Sequence, residues 1–148
     1  MGTTKTRAAV KPAPVKMAKP ERSTGPSPAW QLYEKALRGR KRKSQAARRQ
    51  ACENGWLAVA MAVDEWLATK GFVVPKDPSE EHAMRYAYLA DLAMVDENGR
   101  AIAKLVPEIS EILHGLCFFA HTDTPFADTL LATTVREVLV RTGQAPPT

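Results

Sequence analysis

"RKSQAARRQACENGWLAVAMAVDEWLATKG", residues 42–71, carries the pattern that decides the fold. Cys52, Trp56, Val59, Ala60, Val63, Trp66 and Leu67 recur at helical spacing, giving one apolar face to a helix from about Arg42 to Lys70. Beside that face runs a ridge of small residues, Ala47, Ala51, Gly55, Ala58 and Ala62. Small side chains let a neighbouring helix approach closely, so a tight contact is expected there. Gly71 supplies the usual stop.

Outward from this helix the same reading applies. Ser27 and Pro28 fit a cap and a first helical position, and Trp30, Tyr33 and Leu37 continue at amphipathic spacing until Gly39 breaks the short helix. On the other side, "FVVPKDPSEEH" (72–82) reads as a connecting loop, with Phe72–Val74 packing as a plug rather than a strand. Asp77, Pro78 and Glu80 fit a cap, a first-turn proline and a capping-box acid for a helix carrying Met84, Tyr88, Leu89, Leu92 and Met94. "DENGR" (96–100) reads as a turn. Ile102, Leu105, Val106, Ile109, Ile112, Leu113, Leu116 and Phe119 then mark another helix, with Pro107 in its early turns. "AHTDTP" (120–125) breaks it, and Thr124 and Pro125 open a last helix bearing Phe126, Leu130, Leu131, Val135, Val138 and Leu139. The expected fold is all-α: an antiparallel four- to five-helix bundle over residues 27–143. Residues 1–26, rich in Pro, Lys and Ala and devoid of aromatics, are expected to form a disordered basic tail, and 144–148 a disordered C-terminus.

Charge is divided unevenly. Residues 1–50 hold 14 Lys/Arg against two acids, whereas 51–148 hold seven Lys/Arg against 14 acids. An acidic body with a strongly basic arm suggests an anionic partner, either nucleic acid or an acidic protein surface. The candidate anion-binding residues are Arg38, Arg40, Lys41, Arg42, Lys43, Arg48 and Arg49. Arg38, Arg42, Gln45 and Arg49 lie on the line that continues into Cys52, Trp56, Val59 and Val63, so the apolar seam turns cationic toward its start. Arginines are not buried unpaired. Either this end projects beyond the bundle, or acids from other elements or another subunit meet it. No aromatic residue lies between Tyr33 and Trp56, which argues against base stacking within the run.

No apolar run is long enough to span a bilayer and no secretory signal opens the chain, so no membrane partner and a cytoplasmic location are expected. Cys52 and Cys117 stand far apart and form no disulfide framework on this reading; both are expected as small apolar core residues. No nucleophile elbow and no phosphate-binding glycine loop occurs, and no cofactor is implied. His114, Cys117 and His121 share one helix face with Glu111, the only set with metal-ligand spacing, but Glu-x-x-His at 111–114 lacks the second motif that a di-iron bundle needs. His114, His121 and Asp123 are the residues to test for catalysis. Trp30 and Trp66 are candidate anchors of an interface between copies of the chain.

"ACENGWLAVAMAVDEWLATKG" (51–71) and "EILHGLCFFAHTD" (111–123) together resemble a family of small uncharacterised bacterial helical-bundle proteins, themselves distantly similar to HEPN domains. The matching residues are Trp56, Asp64, Trp66, Leu113, His114, Phe118, Phe119 and Asp123, within a likeness covering about residues 29–142. The resemblance implies the bundle and pairing of two copies. Many HEPN domains are ribonucleases with an Arg shortly before a His; here no Arg stands at that distance from His82, His114 or His121, so the nuclease activity does not transfer. The leading expectation is a non-enzymatic binding or assembly module. A divergent HEPN-like ribonuclease or nucleotide-binding protein and a homo-oligomeric structural protein are the alternatives.

Overall fold

Two serine caps set out the first hairpin. Ser27 accepts a hydrogen bond from the Trp30 backbone N–H and Pro28 opens α1 (Pro28–Arg40). Ser44 accepts from the Ala47 N–H and opens α2 (Gln45–Thr69), so residues 41–44 make a tight corner between the helices. The structure, a computed structural model, describes residues 25–144 and 146. The expected tail falls on residues of which 1–24 lie outside that range. Order extends beyond the expected C-terminal boundary: Gln144 is buried and donates to Glu65 at 3.1 Å.

Asp77 accepts from the Ser79 N–H and starts α3 (Pro78–Ala93). Asp96 accepts from the Gly99 N–H at 2.7 Å and starts the next helix. "DENGR" is therefore a helix cap and first turn, not a free turn, because Asp is as strong an N-cap as it is a turn residue. α4 comprises Glu97–Ile109 and its π-helical continuation Ser110–Phe119. Thr124 caps α5, which runs through Pro125–Leu130, a π-helical stretch Leu131–Val135, and Arg136–Arg141. The fold is all-α with five helices, and no strand occurs among the described residues. Among those residues no helix is long and apolar enough to cross a membrane.

α2 is the central element, packed on α1, on the π-helical part of α4 and on α5, while α3 lies mainly against α4. Its small-residue ridge makes the close contact expected of it. A Cβ placed on Gly39 would lie 2.8 Å from Ala51 Cβ, and one on Gly55 would meet Leu131 and Leu113. Gly39 thus sits inside α1, which runs on through Arg40, and its role is close approach and not termination. Gly39→Val should destabilise the protein by about 1–3 kcal/mol, since overpacking against a methyl with no rotamer to change outweighs the small gain in helix propensity. Urea unfolding with an unchanged slope would verify it. Gly71 does end α2, at φ +94°. Phe72 and Val74 plug the loop against the core, the Phe72 ring 5.0 Å from that of Tyr88.

The π-helical stretch alters which residues face inward on α4. Bonds reaching five residues back, such as Ala120 N–H to the Gly115 carbonyl at 2.9 Å, widen the turn. The core line becomes Ile109, Leu113 and Cys117, and Leu116 and Phe119, expected on the apolar stripe, turn outward. Met94, expected on the stripe of α3, is also exposed, because α3 ends before it.

Candidate functional site

The basic run divides into two chemically different parts. Arg40, at the end of α1, is only 4% exposed. Its Nε donates to Asp128 Oδ1 and its Nη2 to Asp123 Oδ1, both at 2.7 Å. Arg48, one turn into α2, donates Nε to Asp123 Oδ2 at 2.8 Å. The two arginines also exchange bonds with each other's backbone, each donating to the carbonyl of the other. Acids from the α4–α5 loop and the first turn of α5 therefore meet the cations, and they meet Arg40 and Arg48. Burial pushes the Arg40 pKa down, but Asp128 and Asp123 outweigh it and hold the guanidinium above its ordinary value. The Asp123 carboxyl is held below the usual carboxylate value by Arg48, against burial, with Arg40 adding to the effect.

Beneath this cluster Cys52 and Cys117 are joined in a disulfide, with Cα atoms 6.1 Å apart. This corrects the expectation of two independent thiols. Sequence spacing over 65 residues gives no pairing signal; Cys117, buried on the core line of α4 with Ile109 and Leu113, stands opposite Cys52 of α2. Arg40 Nη1 lies 3.4 Å from Cys52 Sγ and 3.7 Å from Cys117 Sγ, so cross-link and ion cluster form one unit.

Arg40 and Arg48 are thereby withdrawn from the candidate anion-binding set. Arg38, Lys41, Arg42 and Lys43 remain exposed around the α1–α2 corner, with no ion-pair partner among the described residues. Arg49 has a different setting. Its guanidinium carbon lies 6.0 Å from the centre of the Phe118 ring, and its Nε is buried with no hydrogen-bond partner among the described residues.

From Phe118 a line of rings crosses three helices. Phe119 and Phe118 are 5.4 Å apart, Phe118 and His114 6.2 Å and nearly parallel, and His114 and Trp56 6.1 Å. Trp56 is 6.5 Å from His82, which meets Tyr86 edge-on at 4.7 Å. Trp56 is the buried floor of the array, and Phe119, 65% exposed, its outermost ring. Glu53 Oε1 lies 2.7 Å from His114 Nδ1 and fixes the imidazole. Burial, followed by the charge of Arg85 and the neighbouring His114, lowers the His82 pKa, with Glu81 opposing. Behind Trp56, buried Arg85 holds Asp64 through two bonds of 2.7 and 2.8 Å and Glu81 at 3.2 Å. Neither Arg85 nor Glu53 stands out in sequence, since their partners lie on other helices or among solvated acids.

The residues named for catalysis or metal binding are not gathered. Asp123 clamps two arginines, His114 faces Glu53, and His121 is exposed in the α4–α5 loop at φ 56°. Cys117 has its sulfur in the disulfide, and Glu111 is exposed on α4. No group of three or more His, Cys, Asp or Glu among the described residues is placed to hold a metal ion. Trp30 and Trp66, the candidate interface anchors, are buried in the chain's own core, Trp30 under Arg136. A shallow depression along α5, lined by Ala132, Thr133, Arg136, Glu137, Val140 and Arg141, includes none of these candidates.

Fold and surface thus define an all-α bundle, internally cross-linked, with a cationic corner beside an aromatic array. Comparison with protein-family models, with curated proteins and with solved structures gives no match in any of the three.

Proposed function

We propose that the protein is a binding module, not an enzyme, whose basic N-terminal arm and α1–α2 corner engage nucleic acid. The observation that carries this reading is the exposed set Arg38, Lys41, Arg42 and Lys43, without carboxylate partners among the described residues while Arg40 and Arg48 are paired with Asp123 and Asp128. Residues 1–24 add six further Lys/Arg and one acid to the same side of the sequence. Cations of this kind neutralise backbone phosphates and release counterions, giving sequence-independent, salt-sensitive affinity.

Replacing Lys41, Arg42 and Lys43 together by Gln tests the corner in the full chain. These side chains are exposed, so folding is preserved, and the plot of log affinity against log salt should flatten by about two units for three lost phosphate contacts. Affinity and slope equal to the wild type would overturn the reading, and binding to an acidic protein but to no oligonucleotide would replace it. As to compartment, the buried cross-link fits an oxidising environment, or sulfurs shielded by burial, better than two free thiols in a reducing cytoplasm.

A further inference from the structure

We infer that the ring array at the end of α4 is a stacking shelf for unpaired bases of a single-stranded nucleic acid, with Arg49 as its phosphate ligand. This rests on the nucleic-acid reading of the adjacent corner and names the form of the ligand. Two independent observations converge on it. Phe119 presents a large ring to solvent at the edge of a continuous aromatic surface through Phe118 and His114. Arg49, beside Phe118, forms no ion pair and no side-chain hydrogen bond among the described residues. Two carboxylates beside the array are already engaged, Glu53 by His114 and Glu81 by Arg85.

The chemistry of the surface selects among polyanions. An open aromatic face takes a base by its π-surface whatever the base, which suits single strands and not duplexes, whose base faces are hidden. Arg49 follows the cationic corner along α2, and Glu53 and Trp56 follow Arg49 at intervals of four and three residues. A strand whose phosphates track the corner therefore meets Arg49 next and the rings immediately after. The sequence separates the basic run from aromatic residues, and the fold supplies them from α4.

Fluorescence anisotropy with a short single-stranded oligonucleotide and its blunt duplex tests this in the full chain. The wild type should prefer the single strand. Phe119→Leu keeps an apolar side chain at an exposed site but removes the ring face; it should weaken single-strand binding about tenfold and leave duplex binding unchanged. Phe119→Trp should restore the preference, and Arg49→Gln should weaken the single strand more than the duplex. If Phe119→Leu has no effect while the corner variant weakens both ligands, the shelf is wrong and the corner stands. If the corner variant has no effect while Phe119→Leu abolishes the preference, the shelf stands and the corner is wrong. A dimer that Phe119→Leu dissociates would assign the rings to a second copy of the chain and overturn the shelf.

Discussion

Asparagine at both Asp123 and Asp128 should cost about 3–5 kcal/mol of stability, whereas Arg40→Met should be close to neutral. The asymmetry follows from where each charge ends up. The Arg40 side chain is 3% exposed, so removing its carboxylates strands a guanidinium that water cannot reach. Removing the arginine leaves Asp123 paired with Arg48 and Asp128 about half exposed, both able to stay ionised. An apolar side chain of similar volume then fills the space with no charge to bury. Urea unfolding near neutral pH would show the contrast as a midpoint lower by more than about 1 M for the paired asparagines alone. Acid titration adds a second signature. The folded Asp123 pKa lies below its unfolded value, so its contribution is complete above about pH 3.9 and is lost as pH falls through the folded value. The double variant should lose that part of the acid dependence. Equal destabilisation by Arg40→Met would mean that arginine packing, not charge pairing, holds the corner.

The second large effect is expected from the cross-link. Joining residues separated by 65 positions restricts the unfolded chain, and Cys52→Ala with Cys117→Ala should cost about 4 kcal/mol on the loop-entropy scale. Both cysteines are fully buried, so a thiol reductant must wait for the bundle to open. Native protein should therefore resist reduction that proceeds readily in urea, as thiol labelling followed by mass measurement would report. Thiols that label at once in the native oxidised protein would contradict the pairing.

The helices were legible because their signals are local. Ser27, Asp77 and Thr124 cap where their side chains and the following prolines say they should, and the small ridge of α2 makes its tight contact with α1. What escaped depends on helical phase and on distant pairs. Reading α4 at constant α-helical period puts Leu116 and Phe119 on the core stripe; the wider π turn seats Cys117 there instead. That change of phase accounts for the exposed Phe119; the disulfide escaped because two cysteines 65 residues apart carry no pairing signal, even with both expected in the core. The basic run calls for open solvent or acids to meet it, but carries no sign that Asp123 and Asp128 reach across to Arg40. Such pairs leave no periodic trace, because each member looks like ordinary solvated surface in its own segment.

The bridge also divides the chain topologically. Residues 53–116, including all of α3, lie inside a covalent ring, while the basic arm and α5 both leave that ring at its closure. A pull between the arm, held on a polyanion, and the C-terminal helix would travel through Cys52 and Cys117 and bypass the enclosed segment. The cross-link thus acts as a mechanical shunt, confining tension to the parts of the molecule outside the ring.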